Sequence, residues 1–214
     1  MTKVAVIGTG NVGGNLGATL SKAGWPVKFG MKDPSKDTKD LLAKCKDATT
    51  ADVSSAVAWA DVVFLAVPGS AAVSVAASLA KELEGKVVVD CNNALTWKEG
   101  PVWSPPPEGS LSAAIAKAAP GAKVVKAFNT FGAEFHADPM HAGTPAEVYV
   151  AADDAGAKST VTELATKAGY RVVDAGPGRN AAVLENLAIL WIHLAMVGGK
   201  GRDFTFVMAE KGKR

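Results

Sequence analysis

Cysteine is scarce. The 214-residue chain has two, Cys45 and Cys91, far apart and without a Cys-x-x-Cys spacing. That argues against a disulfide framework or a thiolate zinc site and fits reduced thiols in a cytoplasmic protein. Histidine is scarce too. His136 and His141 flank Asp138, but no further ligand cluster is visible to complete a metal site, and no metal is expected. His193 lies within an apolar stretch and reads as a core histidine. The net charge is only +2, and the one dense basic cluster is the tail Lys211-Gly212-Lys213-Arg214, so no nucleic-acid partner is expected. The longest apolar run, Ala181 to Val197, is interrupted by Glu185, Asn186 and His193. It is too short and too polar for a membrane span and is expected to be a buried or interface helix. No Ser/His/Asp arrangement and no Tyr-x-x-x-Lys pair occurs, which argues against carbonyl reduction with a tyrosine acid. The first strand starts at the beginning of the chain, leaving no room for a leader peptide before it.

What the chain has is an ordinary globular composition, 48% hydrophobic and 21% charged. That length makes one large domain, or one domain with a small appendage. Its most informative stretch is the first: Lys3-Val4-Ala5-Val6-Ile7, then Gly8-Thr9-Gly10-Asn11-Val12-Gly13, then an Ala/Leu-rich segment ending at Gly24, then Val27 to Phe29. A Gly-x-Gly-x-x-Gly between a strand and a helix, with a second strand following, is the context of a dinucleotide-binding fingerprint. Gly8 permits the tight turn, Gly10 lets the backbone approach a pyrophosphate, and Gly13 lets the helix pack on the strand. The free N–H groups of the helix N-terminus then face the anion.

The end of the second strand bears on which dinucleotide binds. An acidic residue there would accept both ribose hydroxyls of NAD. This chain has Met31, followed by Lys32, with Lys36 four residues further on. Cations without a carboxylate at the critical position suit the 2′-phosphate of NADP. Asp33 follows, and Pro34 is expected to turn the chain and direct that acid away.

Strands and helices alternate through the first part of the chain. Helices are expected over Asn11 to Ala23, Asp37 to Cys45, Ser54 to Trp59, Ala71 to Leu83 and Leu111 to Ala118. Strands are expected over Val4 to Ile7, Val27 to Phe29, Asp47 to Thr50, Asp61 to Val67, Lys86 to Asp90 and Ala122 to Ala127. The near-continuous apolar run Val62 to Val67 suits a parallel strand covered on both faces. After Phe128 come a strand over Glu147 to Ala151, a helix over Ala155 to Ala168, a strand over Arg171 to Asp174, a long helix from Asn180 to Val197, and a short element over Phe204 to Met208. The pattern predicts an α/β protein with a Rossmann-type doubly wound parallel sheet over residues 1–135 and a small C-terminal α/β lobe over 136–214.

Ligands of such sheets bind beyond the carboxyl ends of the strands. That rule adds Ala66, Val67 and Pro68 after the fourth strand, Asn93 after the fifth, and Ala127 and Asn129 after the sixth. The segment from Thr96 to Ser110 is dense in proline and carries Trp97 and Trp103. It is either a stiff aromatic lid over a substrate or a surface loop anchored by its tryptophans.

In this order Ile7-Gly8-Thr9-Gly10-Asn11-Val12-Gly13, Gly30-x-Lys32-Asp33-Pro34, Leu65-Ala66-Val67-Pro68, Lys126-Ala127-Phe128-Asn129-Thr130, Asp174-Ala175-Gly176-Pro177 and Leu190-Trp191-Ile192-His193-Leu194 resemble the coenzyme F420-dependent NADP oxidoreductase family over nearly the whole chain. The resemblance implies a deazaflavin stacked on the nicotinamide in a cleft between the two lobes. It implies that Thr9, Lys32 and Lys36 hold the 2′-phosphate, with Met31-Lys32 standing where the family usually has Ser-Arg. It places Asn129 near the reacting rings, and Asn186 and Ala188 on a C-terminal helix that meets the deazaflavin. Ala188 has no side-chain hydrogen bond to offer there, and the Trp/Pro segment is not a family feature.

The expected activity is therefore NADP(H)-dependent hydride transfer to an F420-type acceptor, with no side chain named as catalytic. The alternatives are another small acceptor (an imine, a flavin or a chelated metal) or a non-catalytic NADP-binding regulator. The all-round apolar helix from Ala181 to Val197 is expected to pack one face on the strands near Val148 and Val172 and the other on a second copy, as a homodimer.

Overall fold

The structure, a computed structural model, describes residues 1–33 and 35–212. The turn expected at Pro34 and the last two residues of the basic tail lie outside it. Element order is β1 (Val4–Ile7), α1 (Asn11–Lys22), β2 (Val27–Met31), α2 (Lys39–Leu42), β3 (Ala48–Asp52), α3 (Val53–Trp59), β4 (Val62–Leu65), α4 (Gly69–Ser78), β5 (Val87–Asp90), β6 (Leu95–Trp97), β7 (Pro101–Trp103), α5 (Leu111–Ala118), β8 (Lys123–Lys126), α6 (Glu134–Ala137), β9 (Met140–His141), β10 (Thr144–Pro145), β11 (Glu147–Val150), α7 (Ala155–Lys167), β12 (Arg171–Asp174) and α8 (Ala181–Met196).

The first six long strands form one parallel sheet in the order β3-β2-β1-β4-β5-β8. The chain leaves β1 for β2 on one side and returns to β4 on the other. The crevice between β1 and β4 is therefore the switch point where such sheets take ligands. Four-residue strands such as Val4–Ile7 and Val62–Leu65 are buried at every position, as sheets covered on both faces require. Helix starts follow their capping residues. Asp52 accepts the Ser55 N–H, Ser110 that of Ala113, and Asp154 that of Ala157.

The C-terminal strands form a separate two-stranded sheet tied to the β8 edge. β11 and β12 pair in parallel, and Lys126 and Ala151 exchange backbone hydrogen bonds of 2.9 and 3.0 Å, antiparallel, at the β8 edge. One apolar cluster runs from Val4, Leu16 and Phe29 through Val89 and Phe128 to Val148 and Val161. Core packing is thus continuous across residue 135. The Thr19 hydroxyl on α1 also donates to the His136 carbonyl at 2.7 Å.

Several local expectations change. The Trp/Pro segment is a β-hairpin, β6–β7, with Leu95 opposite Trp103 and Trp97 opposite Pro101. α4 gives way to turns after Ser78 as the chain approaches Gly85, whose φ is +74°. The helix expected over Asp37 to Cys45 shrinks to Lys39–Leu42, because the Asp37 carboxylate takes the Lys39 N–H and starts it late. Phe204 to Met208 forms no regular element. Phe204 instead stacks on Trp191 and accepts its indole N–H at 2.8 Å. α8 packs on β7 and α5 rather than on the strands carrying Val148 and Val172. Ala181, Leu184, Glu185, Ala188, Trp191 and Ala195 face inward, whereas Val183, Leu190 and Met196 are exposed. No helix among the described residues is long and apolar enough to cross a membrane.

Candidate active site

The glycine loop connects β1 to α1, and its three glycines do different work. Gly8 has φ +106°, and a Cβ there would sit 2.2 Å from the Ala66 carbonyl oxygen. A Cβ on Gly13 would sit 2.0 Å from the Gly8 carbonyl oxygen. These two allow the loop, the end of β4 and α1 to stack without a gap. Gly10 is the opposite case, with nothing within 4 Å of where its Cβ would be. It caps α1 without a side chain, and the first turn carries no acid. The N–H groups at that helix end therefore face open space, as a pyrophosphate requires.

Two cavities flank this loop. The larger, of about 820 Å³, is lined by Gly8, Thr9, Met31, Lys32, Lys36, Val67 and Pro68, with Ser54, Ser74 and Ser78 from α3 and α4 on its walls. Met31 is buried at the end of β2, while Lys32 and Lys36 are exposed. Asp33 also borders this cavity, but its carboxylate accepts both the N–H (3.0 Å) and the hydroxyl (2.6 Å) of Ser35. Those bonds, the hydroxyl first, hold it below the usual aspartate range. The acid is thus committed to its own turn.

The smaller cavity, of about 400 Å³, is lined by Val12, Ala66, Val67, Cys91, Asn93 and Leu95, among others. Val67 borders both cavities, which therefore meet at the β4–α4 turn. Asn93 and Asn129 pair beside it. The Asn129 side-chain amide donates to Asn93 Oδ1 at 2.8 Å and to the Leu184 carbonyl at 3.0 Å, and Asn93 donates to the Asn129 carbonyl at 3.0 Å. Asn129 Oδ1 is buried without a partner among the described residues. Phe128, just before it, holds φ +63°, an unfavourable backbone for a bulky residue.

Against this end of the site lies a buried charge cluster. Lys126 at the end of β8, Asp90 at the end of β5 and Glu185 on α8 are all 0% exposed. Lys126 Nζ donates to Asp90 Oδ2 at 2.9 Å, to Glu185 Oε1 at 3.1 Å and to the Asn92 carbonyl. Ser112 Oγ donates to Asp90 Oδ2 at 2.7 Å, and Asn92 donates through both its N–H and its side chain to Asp90 Oδ1. Glu185 accepts the Leu111 N–H at 2.9 Å and the Trp103 indole N–H at 3.1 Å. Each carboxylate is thus paired and hydrogen-bonded on both oxygens, the condition for burying charge.

Of the expected residues, Gly8, Thr9, Val12, Met31, Lys32, Lys36, Ala66, Val67, Pro68 and Asn93 line these two cavities, whereas Gly10, Asn11, Gly13, Trp97, Trp103, Ala127, Asn129, Asn186 and Ala188 do not. Ala127 is fully buried and lines neither cavity. Ala188 is 1% exposed, and Asn186 is exposed with its amide bonded to the Ala182 carbonyl. The α8 residues that reach the site are Leu184, through its carbonyl, and Glu185. A lone carboxylate in an apolar run is the sequence signal for the second, because such an acid is buried only when paired. Trp103 is the anchor of the hairpin, whereas Trp97 is 55% exposed. Asn11 is exposed on the first turn of α1. His136 is buried against Phe131, and burial pushes its imidazole down to about 4. Among the described residues no cluster of three or more His, Cys, Asp or Glu could hold a metal.

The family described as NADP oxidoreductase, coenzyme F420-dependent, matches residues 3–94. Over 210 residues the chain is 30% identical to the F420-dependent NADP reductase of Methanothermobacter thermautotrophicus, covering 90% of this chain and 88% of that one. A crystal structure of a candidate F420-dependent NADP reductase from Arthrobacter sp. FB24 superposes with a TM-score of 0.87 at 32% identity, covering 98% of this chain and 100% of the other. The chain is also 31% identical to the rat metalloreductase STEAP3 over 87% of its own length, which is 36% of that longer protein.

Proposed function

Because the chain belongs to the coenzyme F420-dependent NADP oxidoreductase family, and is on that footing an NADP-dependent oxidoreductase, we propose that it passes hydride between NADP(H) and a deazaflavin-type acceptor. The observation that carries this reading is the meeting of the two cavities at Val67. One side has Lys32 and Lys36 and no uncommitted acid, and the other has the Asn93–Asn129 pair. NADPH, when bound, supplies the hydride from its nicotinamide ring.

The residues of this chain bind and orient. Gly8, Thr9, Gly10, Asn11, Val12 and Gly13 shape the loop that receives the pyrophosphate at the α1 N-terminus. Lys32 and Lys36 neutralise the 2′-phosphate, and Thr9 borders the same cavity. Met31 offers no carboxylate to select the unphosphorylated ribose. Ala66, Val67 and Pro68 wall the junction, and Asn93, held by Asn129, faces the nicotinamide side of it. Hydride transfer between stacked rings depends on proximity and alignment more than on a side-chain acid, so no residue is assigned proton transfer. A homodimer through the outer face of α8 completes this reading.

The test is anaerobic NADPH oxidation with purified F420, followed by absorbance. Turnover with F420 and none with NADH in place of NADPH supports the reading. No oxidation with F420, together with turnover of a chelated ferric ion, replaces it with the second reading that the STEAP3 similarity favours. Tight NADPH binding with no oxidation by F420, flavin, imine or chelated iron points to a regulator.

A further inference from the structure

The hairpin β6–β7 raises a separate question: why a rigid element holds a tryptophan out into solvent. In an antiparallel pair, directly opposite residues share a face, and the faces alternate along each strand. Leu95, Trp97, Pro101 and Trp103 therefore lie on one face of the hairpin, and Thr96 and Val102 on the other. The β7 half of the first face is turned toward the body, and its β6 half, with Leu95 38% exposed, lies at the edge of the smaller cavity. Trp103 is bonded through its indole N–H to buried Glu185, Pro101 is buried, and Leu95 lines the smaller cavity beside Asn92 and Asn93. Trp97 shares that face, yet 55% of its surface is free.

The hairpin is not a loose loop. Ser104 N–H donates to the Ala94 carbonyl at 2.9 Å and Lys98 N–H to the Gly100 carbonyl at 2.8 Å, closing it at both ends. Its base is fixed through Trp103 to the Glu185–Lys126–Asp90 cluster, which also takes the Asn92 backbone. The strand that carries Trp97 and the loop that borders the nicotinamide-side cavity thus share one anchor.

We propose that Trp97, with Leu95, is the stacking wall of the acceptor subsite, taking a planar aromatic hydride acceptor at the mouth of the nicotinamide-side cavity. This rests on the hydride-transfer reading above. A large, rigid indole left exposed on an anchored strand, on the same face as the cavity-lining Leu95, supplies apolar contact area at little entropic cost. The preference it imposes is for flat π-systems, such as a deazaflavin or flavin ring, over a hydrated metal chelate. Trp103 is a positioning residue for this wall, since its indole N–H is spent on Glu185.

The test compares wild type with Trp97→Ala and Trp97→Phe, using F420 and FMN as planar probes and Fe(III)–EDTA as a non-planar one. The thermal midpoint and NADPH affinity of each variant are measured first, and both are expected to match wild type. Trp97→Ala raises KM for the planar acceptors about tenfold with little change in kcat, as loss of a stacking face does. Trp97→Phe keeps most of the affinity, and KM for Fe(III)–EDTA is unmoved. The proposal is overturned if KM for F420 and FMN stays within about twofold of wild type, a change below the usual worth of a stacked ring. It is also overturned if all acceptors lose equally, or if Trp97→Ala halves the mass in light scattering, which would make Trp97 an interface residue. If wild type reduces neither planar probe, the hydride-transfer reading fails on its own. Quenching of tryptophan fluorescence by F420 in the NADPH-loaded protein then decides the subsite. Quenching lost in Trp97→Ala keeps the subsite, and no difference between the two proteins removes it.

Discussion

Replacing Lys126 by methionine tests whether the buried cluster organises the site. The change keeps a long unbranched side chain, one atom shorter, and removes the charge together with the three hydrogen bonds that Nζ donates. In the native protein one ammonium lies 2.9 Å from Asp90 Oδ2 and 3.1 Å from Glu185 Oε1, with all three side chains fully buried. The two oxygens therefore lie at most about 6 Å apart, and unscreened by the lysine they repel by roughly 3 kcal/mol at an effective dielectric near 20. Orphaning one member of a buried ion pair costs about 3–5 kcal/mol in general. The repulsion is part of that figure, so the expected loss is about 3–5 kcal/mol, a large share of the 5–15 kcal/mol typical of a whole domain. Urea denaturation reads it directly. The double variant Lys126→Met/Glu185→Gln should recover a substantial part, because one buried charge is gone and the glutamine can still accept the Leu111 or Trp103 N–H. A Lys126→Met midpoint shifted by less than the equivalent of about 1 kcal/mol, the scale of an exposed ion pair, would refute the reasoning.

Other expectations follow from single residues. Gly10→Val should fold and lose NADPH binding, since its side chain enters open space where the pyrophosphate is expected, whereas Gly13→Ala should lose stability because its Cβ meets the Gly8 carbonyl at 2.0 Å; NADPH titration and circular dichroism separate the two. Lys32→Ala should weaken NADPH about tenfold, the worth of one charge-assisted bond, and leave NADH nearly unchanged; equal losses would remove the phosphate role. His136 is held near 4 by burial, against about 6.5 when unfolded, so the unfolded state binds the extra proton and stability falls by roughly 3 kcal/mol as pH drops through that window. His136→Phe should flatten the dependence of the urea midpoint on pH between these values, and an unchanged slope would count against it. Light scattering should give twice the 21.9 kDa chain mass, and Leu190→Glu, on the exposed face of α8, should restore the single mass.

The sheet was legible because its signals are local. Runs such as Val62 to Leu65 can only be covered strands, and the glycine loop announces a turn whose three positions are set by contacts within one βα unit. The hairpin β6–β7 was not, because Pro101 and the prolines that follow argue against strand. Pro101 is tolerated at the first position of an edge strand in a two-stranded ribbon, where its missing N–H breaks no ladder. The lost helical turns after Ser78 are a boundary effect of the kind a pattern of Ala, Leu and Lys cannot reveal.

The acceptor side was less legible for a different reason. Periodicity sets which face of a helix is buried only when one face is polar, and α8 is apolar nearly all round. Its phase is fixed instead by one carboxylate. Glu185 has its partners 59, 74 and 82 residues away, in Lys126, Leu111 and Trp103. Meeting all three turns Leu184 and Glu185 toward the Asn129 loop and leaves Asn186 outside, bonded to its own helix. The same carboxylate fixes the hairpin and, through Lys126, the backbone of Asn92 beside the smaller cavity. Three segments distant in sequence thus take their positions from one buried cluster. On the hydride-transfer reading proposed above, holding two rings parallel requires such positional rigidity more than an acid or a base. That is why the residues that organise this site are buried ones with ordinary chemistry, and why a search for catalytic motifs passes over them.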